Sequence, residues 1–240
     1  MNDFFEKIKF KYMNLSSKKN FKYKIYKSIR KKLNKNDVIN LKTKLLDKSQ
    51  HNFLEKLYSI HDSAHMSTPA IGLMINYICK NLKKNETFLN IGSYRGFTTV
   101  CGMIDTVCTV HSVDNFSEFD GPKAKDIFFK NFNLFKGNNH FFHENDYELF
   151  FKSWHDPIKF YIYDAHHSYE QQYKNLEIVN EFLNKNCLIY IDDYNDHEVE
   201  SGTKDFLNKH SDQYTILKEI KTGFNMHPTF WNGFILFKKN

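Results

Sequence analysis

Between Phe88 and Lys209 short apolar runs alternate with longer amphipathic ones, and this rhythm limits what the chain can fold into more than any other feature. Phe88–Ile91, Thr109–Asp114, His140–His143, Lys159–Asp164 and Leu188–Asp192 have the length and composition of strands. Helical spacing runs through Gly96–Val107, from Gly121-Pro122 to Lys136, from Tyr169 to Asn184 and through His197–Lys209. Strands that alternate with helices form a parallel sheet covered on both faces, and right-handed crossovers place the helices. The tail breaks the rhythm. Tyr214–Ile220 and Gly233–Lys238 are strands with no helix between them, only a loop marked by Gly223, Pro228 and Asn232. Strands joined without a crossover must pair antiparallel. The predicted fold is α/β, a doubly wound seven-stranded sheet finished by an antiparallel C-terminal hairpin.

Ahead of Phe88 the pattern is helical. Ile25, Ile29 and Leu33 recur at four-residue spacing, and Phe53, Leu54, Leu57 and Ile60 mark a second helix over residues 50–61. Thr68 caps a third, which opens on Pro69 and ends near Asn85. Residues 1–66 are expected to be a basic helical arm or lid, and residues 67–240 the main domain. Charge supports that division. Of 34 Lys/Arg and 28 Asp/Glu, residues 1–50 hold 15 and 4, a balance of +11, which leaves 19 and 24, or −5, for the rest. Such an arm suits nucleic acid, an anionic membrane or an acidic glycan, a homo-oligomer contact, or simply a solvated helical face.

No run approaches the roughly 18 apolar residues of a membrane-spanning helix. Met1-Asn-Asp-Phe-Phe-Glu-Lys7 lacks the apolar stretch of a secretory signal. A cytoplasmic location is expected. Cys79, Cys101, Cys108 and Cys187 show no metal-ligand spacing and read as reduced core thiols.

Two strands end in acids. The first runs Lys159-Phe-Tyr-Ile-Tyr-Asp-Ala-His-His-Ser-Tyr169, and the second runs Cys187-Leu-Ile-Tyr-Ile-Asp-Asp193. Parallel strands present their carboxyl ends to a common crevice. Asp164, His167, Asp192 and Asp193 are therefore candidates for one edge, with carboxylates for a hard divalent cation and an imidazole for a general base. A third motif, Phe88-Leu-Asn-Ile-Gly-Ser-Tyr-Arg-Gly-Phe-Thr98, is a strand, a glycine turn and a helix start. Gly92 and Gly96 let backbone amides approach a ligand. About twenty residues on, the next strand ends at Asp114, where an acid accepts ribose hydroxyls.

In this order, Phe88–Thr98, Val110–Phe116, Ile158–Tyr169, Cys187–Tyr194 and the terminal hairpin resemble class I S-adenosylmethionine-dependent methyltransferases, over roughly residues 67–240. The similarity is greatest to small-molecule O-methyltransferases of the macrocin and cephalosporin-tailoring type. It implies a Rossmann-like sheet, S-adenosylmethionine as cofactor, and O-methyl transfer to a sugar or other small-molecule hydroxyl. Gly92, Ser93 and Gly96 would line the methionine and ribose part of the cofactor, Asp114 would hold the ribose, and Asp146 would hold the adenine amino group. Asp164, Asp192 and Asp193 would ligate a divalent cation, magnesium first, with His167 as general base.

The chain departs from that pattern at three positions. Asn90 stands where an acid helps to hold the methionine end, Ala165 replaces a glycine, and His166 replaces a second acid, which opens the alternative of a nitrogen ligand and a softer metal. A non-catalytic cofactor-binding relative is the competing function. A nucleic-acid-associated protein acting through the basic, aromatic-interleaved arm ranks below both. His65, Met66 and Thr68 are candidates for substrate contact, while Phe230, Trp231 and Tyr194 either stack on a substrate or fill the core.

Overall fold

The computed structural model describes residues 51–60, 66–223, 225–227 and 230–240. The expected helix through Ile25, Ile29 and Leu33, the basic arm over residues 1–50, and His65 lie outside the described residues. From its first described residue the chain builds α1 (His51–Tyr58), α2 (Pro69–Lys80), β1 (Thr87–Ile91), α3 (Phe97–Met103), β2 (Thr109–Asp114), α4 (Gly121–Phe135) and β3 (His140–Glu144). Then follow α5 (Tyr147–Ser153), β4 (Ile158–Tyr163), α6 (Tyr169–Asn180), β5 (Leu183–Ile191), α7 (His197–Lys209), β6 (Tyr214–Ile220) and β7 (Phe234–Lys239).

The seven strands form one sheet in the order β3-β2-β1-β4-β5-β7-β6. β1 pairs in parallel with β2 and β4, β2 with β3, and β4 with β5. β7 runs antiparallel to both β5 and β6. The predicted hairpin is present, with its second strand inserted between β5 and β6. The alternating faces of the strands bury two apolar clusters. Phe88, Phe160, Ile162 and Tyr190 join α2, α3 and α4 on one side. Leu89, Tyr161, Ile189 and Phe237 join α5, α6 and α7 on the other. All four cysteines are free and buried.

Several boundaries differ from the pattern in the sequence, each for a tertiary reason. α3 stops at Met103 rather than Val107, and Nδ2 of the buried Asn76 on α2 donates to the Cys101 and Ile104 carbonyls at 2.9 and 2.7 Å. Those acceptors at a helix end need outside partners. α6 ends at Asn180, because the chain from Leu183 already pairs with Ile158 as β5. α5 is an element that strand–helix periodicity passed over. Its signal was the N-cap, where Asp146 accepts from the Glu148 amide at 2.8 Å. Among the described residues no helix is long and apolar enough to cross a membrane.

Candidate active site

A cavity of about 290 Å³ opens at the carboxyl ends of β1, β2, β4 and β5. At the β1–β2 end it is bounded by the turn Gly92–Arg95. Gly92 has φ +84°, and a Cβ there would lie 1.8 Å from the Asp164 carbonyl oxygen. Only glycine lets β1 and β4 come this close above their last pair. Gly96, at φ +88°, starts α3. The turn is held by Asp114, whose Oδ2 accepts from the Ser93 and Tyr94 amides, each at 2.7 Å, and whose Oδ1 accepts from the Phe116 amide at 2.7 Å. One strand-end carboxylate thus ties two loops together.

Beneath the turn lies a closed polar chain. Asn90 Nδ2 donates to Thr99 Oγ1 at 3.1 Å and to the Gly92 carbonyl at 3.2 Å. Thr99 Oγ1 and Ser93 Oγ both bond Ser112 Oγ. Asn90 is fully buried and does not reach the cavity lining. Its neutral amide holds the turn from below, and a carboxylate in that place would face desolvation among hydroxyls and a carbonyl oxygen.

At the β4–β5 end, Asp164, His167 and Asp193 offer ligand atoms that all lie within 4.8 Å of one another. His167 Nε2 is 3.4 Å from Asp193 Oδ2 and 3.9 Å from Asp164 Oδ1. Asp193 adopts φ +52°, a left-handed turn that carries its side chain into the cavity edge, and its Oδ1 accepts from Asn232 Nδ2 at 2.7 Å. Asp192 does not join that group. It is buried and its Oδ1 accepts from the Tyr190 hydroxyl at 2.9 Å. His166 is exposed, takes the Ser168 amide on Nδ1 at 3.3 Å, and also stands outside the group.

Electrostatics set this end apart. Burial, then Asp164, pushes Asp193 up to about 6. Burial, then Asp164 and Asp193, push Asp192 well above the usual carboxylate range. Asp164, foremost, and Asp193 raise His167 to about 9 against the opposing effect of burial. Closely packed acids resist ionising together, and a cation relieves them.

A family model described as a methyltransferase domain matches residues 89–194, the stretch from β1 to just past β5 that carries both ends of this cavity. Over these residues the chain carries a methyltransferase domain. Solved structures of such methyltransferases share the fold. The O-methyltransferase of Bacillus cereus in complex with S-adenosylhomocysteine (SAH) superposes with a TM-score of 0.57 at 14% identity, over 81% of this chain and 91% of that one. An SAH-bound methyltransferase of Podospora anserina gives 0.55 at 15% identity, over 81% and 89%. A Klebsiella pneumoniae protein assigned as an O-methyltransferase gives 0.60 at 15% identity, over 85% and 96%. No curated protein sequence matches the chain.

Gly92, Ser93, Asp114, Asp146, Asp164, His166, His167, Asp192 and Asp193 all border one cavity, whereas Asn90 and Gly96 lie behind its wall. Met66 and Trp231 border it as well. Thr68 is buried as the cap of α2, and Tyr194 and Phe230 belong to the core. Tyr94, Arg95, Phe116, Phe119 and Gln171 also line the site, and sequence reasoning did not single them out.

Proposed function

We propose that the protein transfers the methyl group of S-adenosylmethionine to a hydroxyl oxygen of a small molecule, with a divalent cation, magnesium first, held by Asp164 and Asp193 beside the base His167. The observation that carries this reading is that the Gly92–Asp114 cradle and the Asp164–His167–Asp193 cluster border the same cavity. The residues fit both groups. The Gly92–Arg95 turn, Asp114 and Asp146 border one end of the cavity, and two close carboxylates at the other suit a hard cation.

Bound there, the cofactor supplies an electrophilic methyl group, and the cation supplies Lewis acidity toward the acceptor oxygen. The chain's own residues do the rest. The Gly92–Arg95 turn, held in shape by Asp114, borders the methionine and ribose part, and Asp146 borders the base. Asp114 keeps the turn in shape and has one free acceptor direction for a ribose hydroxyl. Asp164 and Asp193 orient the acceptor edge. His167 keeps a proton at neutral pH while both carboxylates face it uncompensated. Compensation of their charge returns the imidazole toward its ordinary range, where it takes the acceptor proton. The acceptor is a sugar or comparable hydroxylated small molecule, received beside Met66 and Trp231. Neutral Asn90 does not argue against turnover, since its side chain works beneath the turn.

Calorimetry with S-adenosylmethionine tests the cofactor, and methyl transfer before and after chelation tests the cation. Binding is expected, and chelation should abolish transfer. No binding at millimolar cofactor removes the reading, and transfer that survives chelation removes the cation. His167→Ala should lower turnover about 100-fold and leave cofactor affinity near wild type.

A further inference from the structure

The acid edge after β5 and the loop between β6 and β7 meet at one side chain, Asn232. Its amide group is fixed at both ends. Oδ1 accepts from the Met226 amide at 2.8 Å, and Nδ2 donates to Asp193 Oδ1 at 2.7 Å. The Asn232 carbonyl also takes the Asn195 amide at 2.8 Å. Asn195 makes a second tie to the same loop. Its Oδ1 accepts from the Thr222 amide at 2.9 Å, and its Nδ2 donates to Thr222 Oγ1 at 2.8 Å. Thr222 Oγ1 in turn donates to the Trp231 carbonyl at 3.2 Å. The His227 amide donates to that same carbonyl at 2.8 Å, and the Trp231 amide donates to the His227 carbonyl at 3.0 Å. Trp231, held this way at φ +48°, borders the cavity, whereas Asn232 does not.

Because Met226 engages the oxygen of the Asn232 amide, the donor end has to face Asp193. It occupies Oδ1 and leaves Oδ2, which stands 3.4 Å from His167 Nε2, at the acid–histidine cluster. A carboxylate held by one oxygen presents the other in a fixed direction, and groups behind a metal ligand set its orientation in this way. We propose that Asn232 is a positioning residue for the divalent cation: it holds Asp193 with one oxygen presented to the ion, and it ties that presentation to Trp231 on the wall of the cavity. The Asp193 carboxylate and the Trp231 wall are then set by one side chain, so an ion bound at the first is felt at the second. The proposal rests on the cation assigned above.

The test is manganese titration followed by electron paramagnetic resonance, with magnesium as competitor, in wild type, Asn232→Ala and Asn195→Ala and without cofactor or acceptor. Asn232→Ala should weaken both ions by about 10-fold. Asn195→Ala breaks ties to the same loop without touching the Asp193 side chain, so it should lower the thermal midpoint and leave ion affinity near wild type. Tryptophan emission gives a second readout that needs no change at Asn232. The chain has two tryptophans, Trp154 and Trp231. Magnesium should alter the emission of wild type, and Trp231→Phe should lose that response. The proposal is overturned if Asn232→Ala binds both ions like wild type or if Asn195→Ala weakens them as much. It is equally overturned if wild-type emission ignores a bound ion, or if Trp231→Phe keeps the response. Failure of wild type itself to bind either ion would instead remove the cation assignment, and this proposal with it.

Discussion

The two ends of the cavity use the same residue type in opposite ways. At the β1–β2 end Asp114 meets three backbone amides, and the polar chain under it engages Asn90, Thr99, Ser112 and Ser93. At the β4–β5 end burial first, and then the neighbouring acids, raise Asp192 and Asp193. Amides make an aspartate a structural clamp, whereas neighbouring carboxylates make it a destabilised group that a ligand would relieve. Folding completes the first end. The second keeps its acids close together at the cavity edge.

Substitutions can break or sharpen this contrast. Gly92→Ala should have the largest effect, because a Cβ 1.8 Å from the Asp164 carbonyl separates β1 from β4. A loss of more than about 4 kcal/mol, or failure to fold, is expected in urea denaturation. A near-wild-type midpoint would mean the strands are not locked so closely. Asp114→Ala frees three amides, and about 3 kcal/mol should be lost with no dependence on magnesium. Asp193→Asn should act with the opposite sign. By lifting repulsion it should stabilise the metal-free protein by about 1 kcal/mol and erase any rise in midpoint on adding magnesium. Destabilisation of the metal-free protein would show that the acid edge is a clamp after all.

The smallest effect lies away from both ends and serves as a control. His111 Nδ1 stands 2.9 Å from His143 Nε2, and burial, then His143, holds His111 down to about 4. The unfolded chain takes up that proton first. The stability from neutral His111 is therefore complete above about pH 6.5 and falls away as pH drops toward 4, by on the order of 2 kcal/mol. His111→Phe should flatten this part of a pH series of denaturation midpoints, with or without magnesium. A slope unchanged in the variant would assign it to other groups.

Much of this architecture was legible in the chain. Apolar period and turn residues locate β1 to β7, and Gly92 marks the turn, because these signals act over a few neighbours. α5 has only seven residues, and its capping aspartate was attributed to a ligand. The adjacent Asp192 and Asp193 were read as a pair. They separate because β5 ends at Ile191, Tyr190 takes Asp192, and the left-handed Asp193 turns toward His167 and Asn232. Phe119 looked like one aromatic among 24 phenylalanines, since exposure is not written in local spacing.

The sequence by itself determined a parallel α/β sheet with an antiparallel tail, a glycine turn after β1 and acids at the ends of β2, β4 and β5. Periodicity and backbone freedom are local properties of the chain. Tertiary structure alone decided which acid is clamped, which acids repel and which aromatic ring is left facing the cleft. Those outcomes depend on groups brought together across the sheet from far apart in the chain, and burial and charge are properties of that assembled neighbourhood.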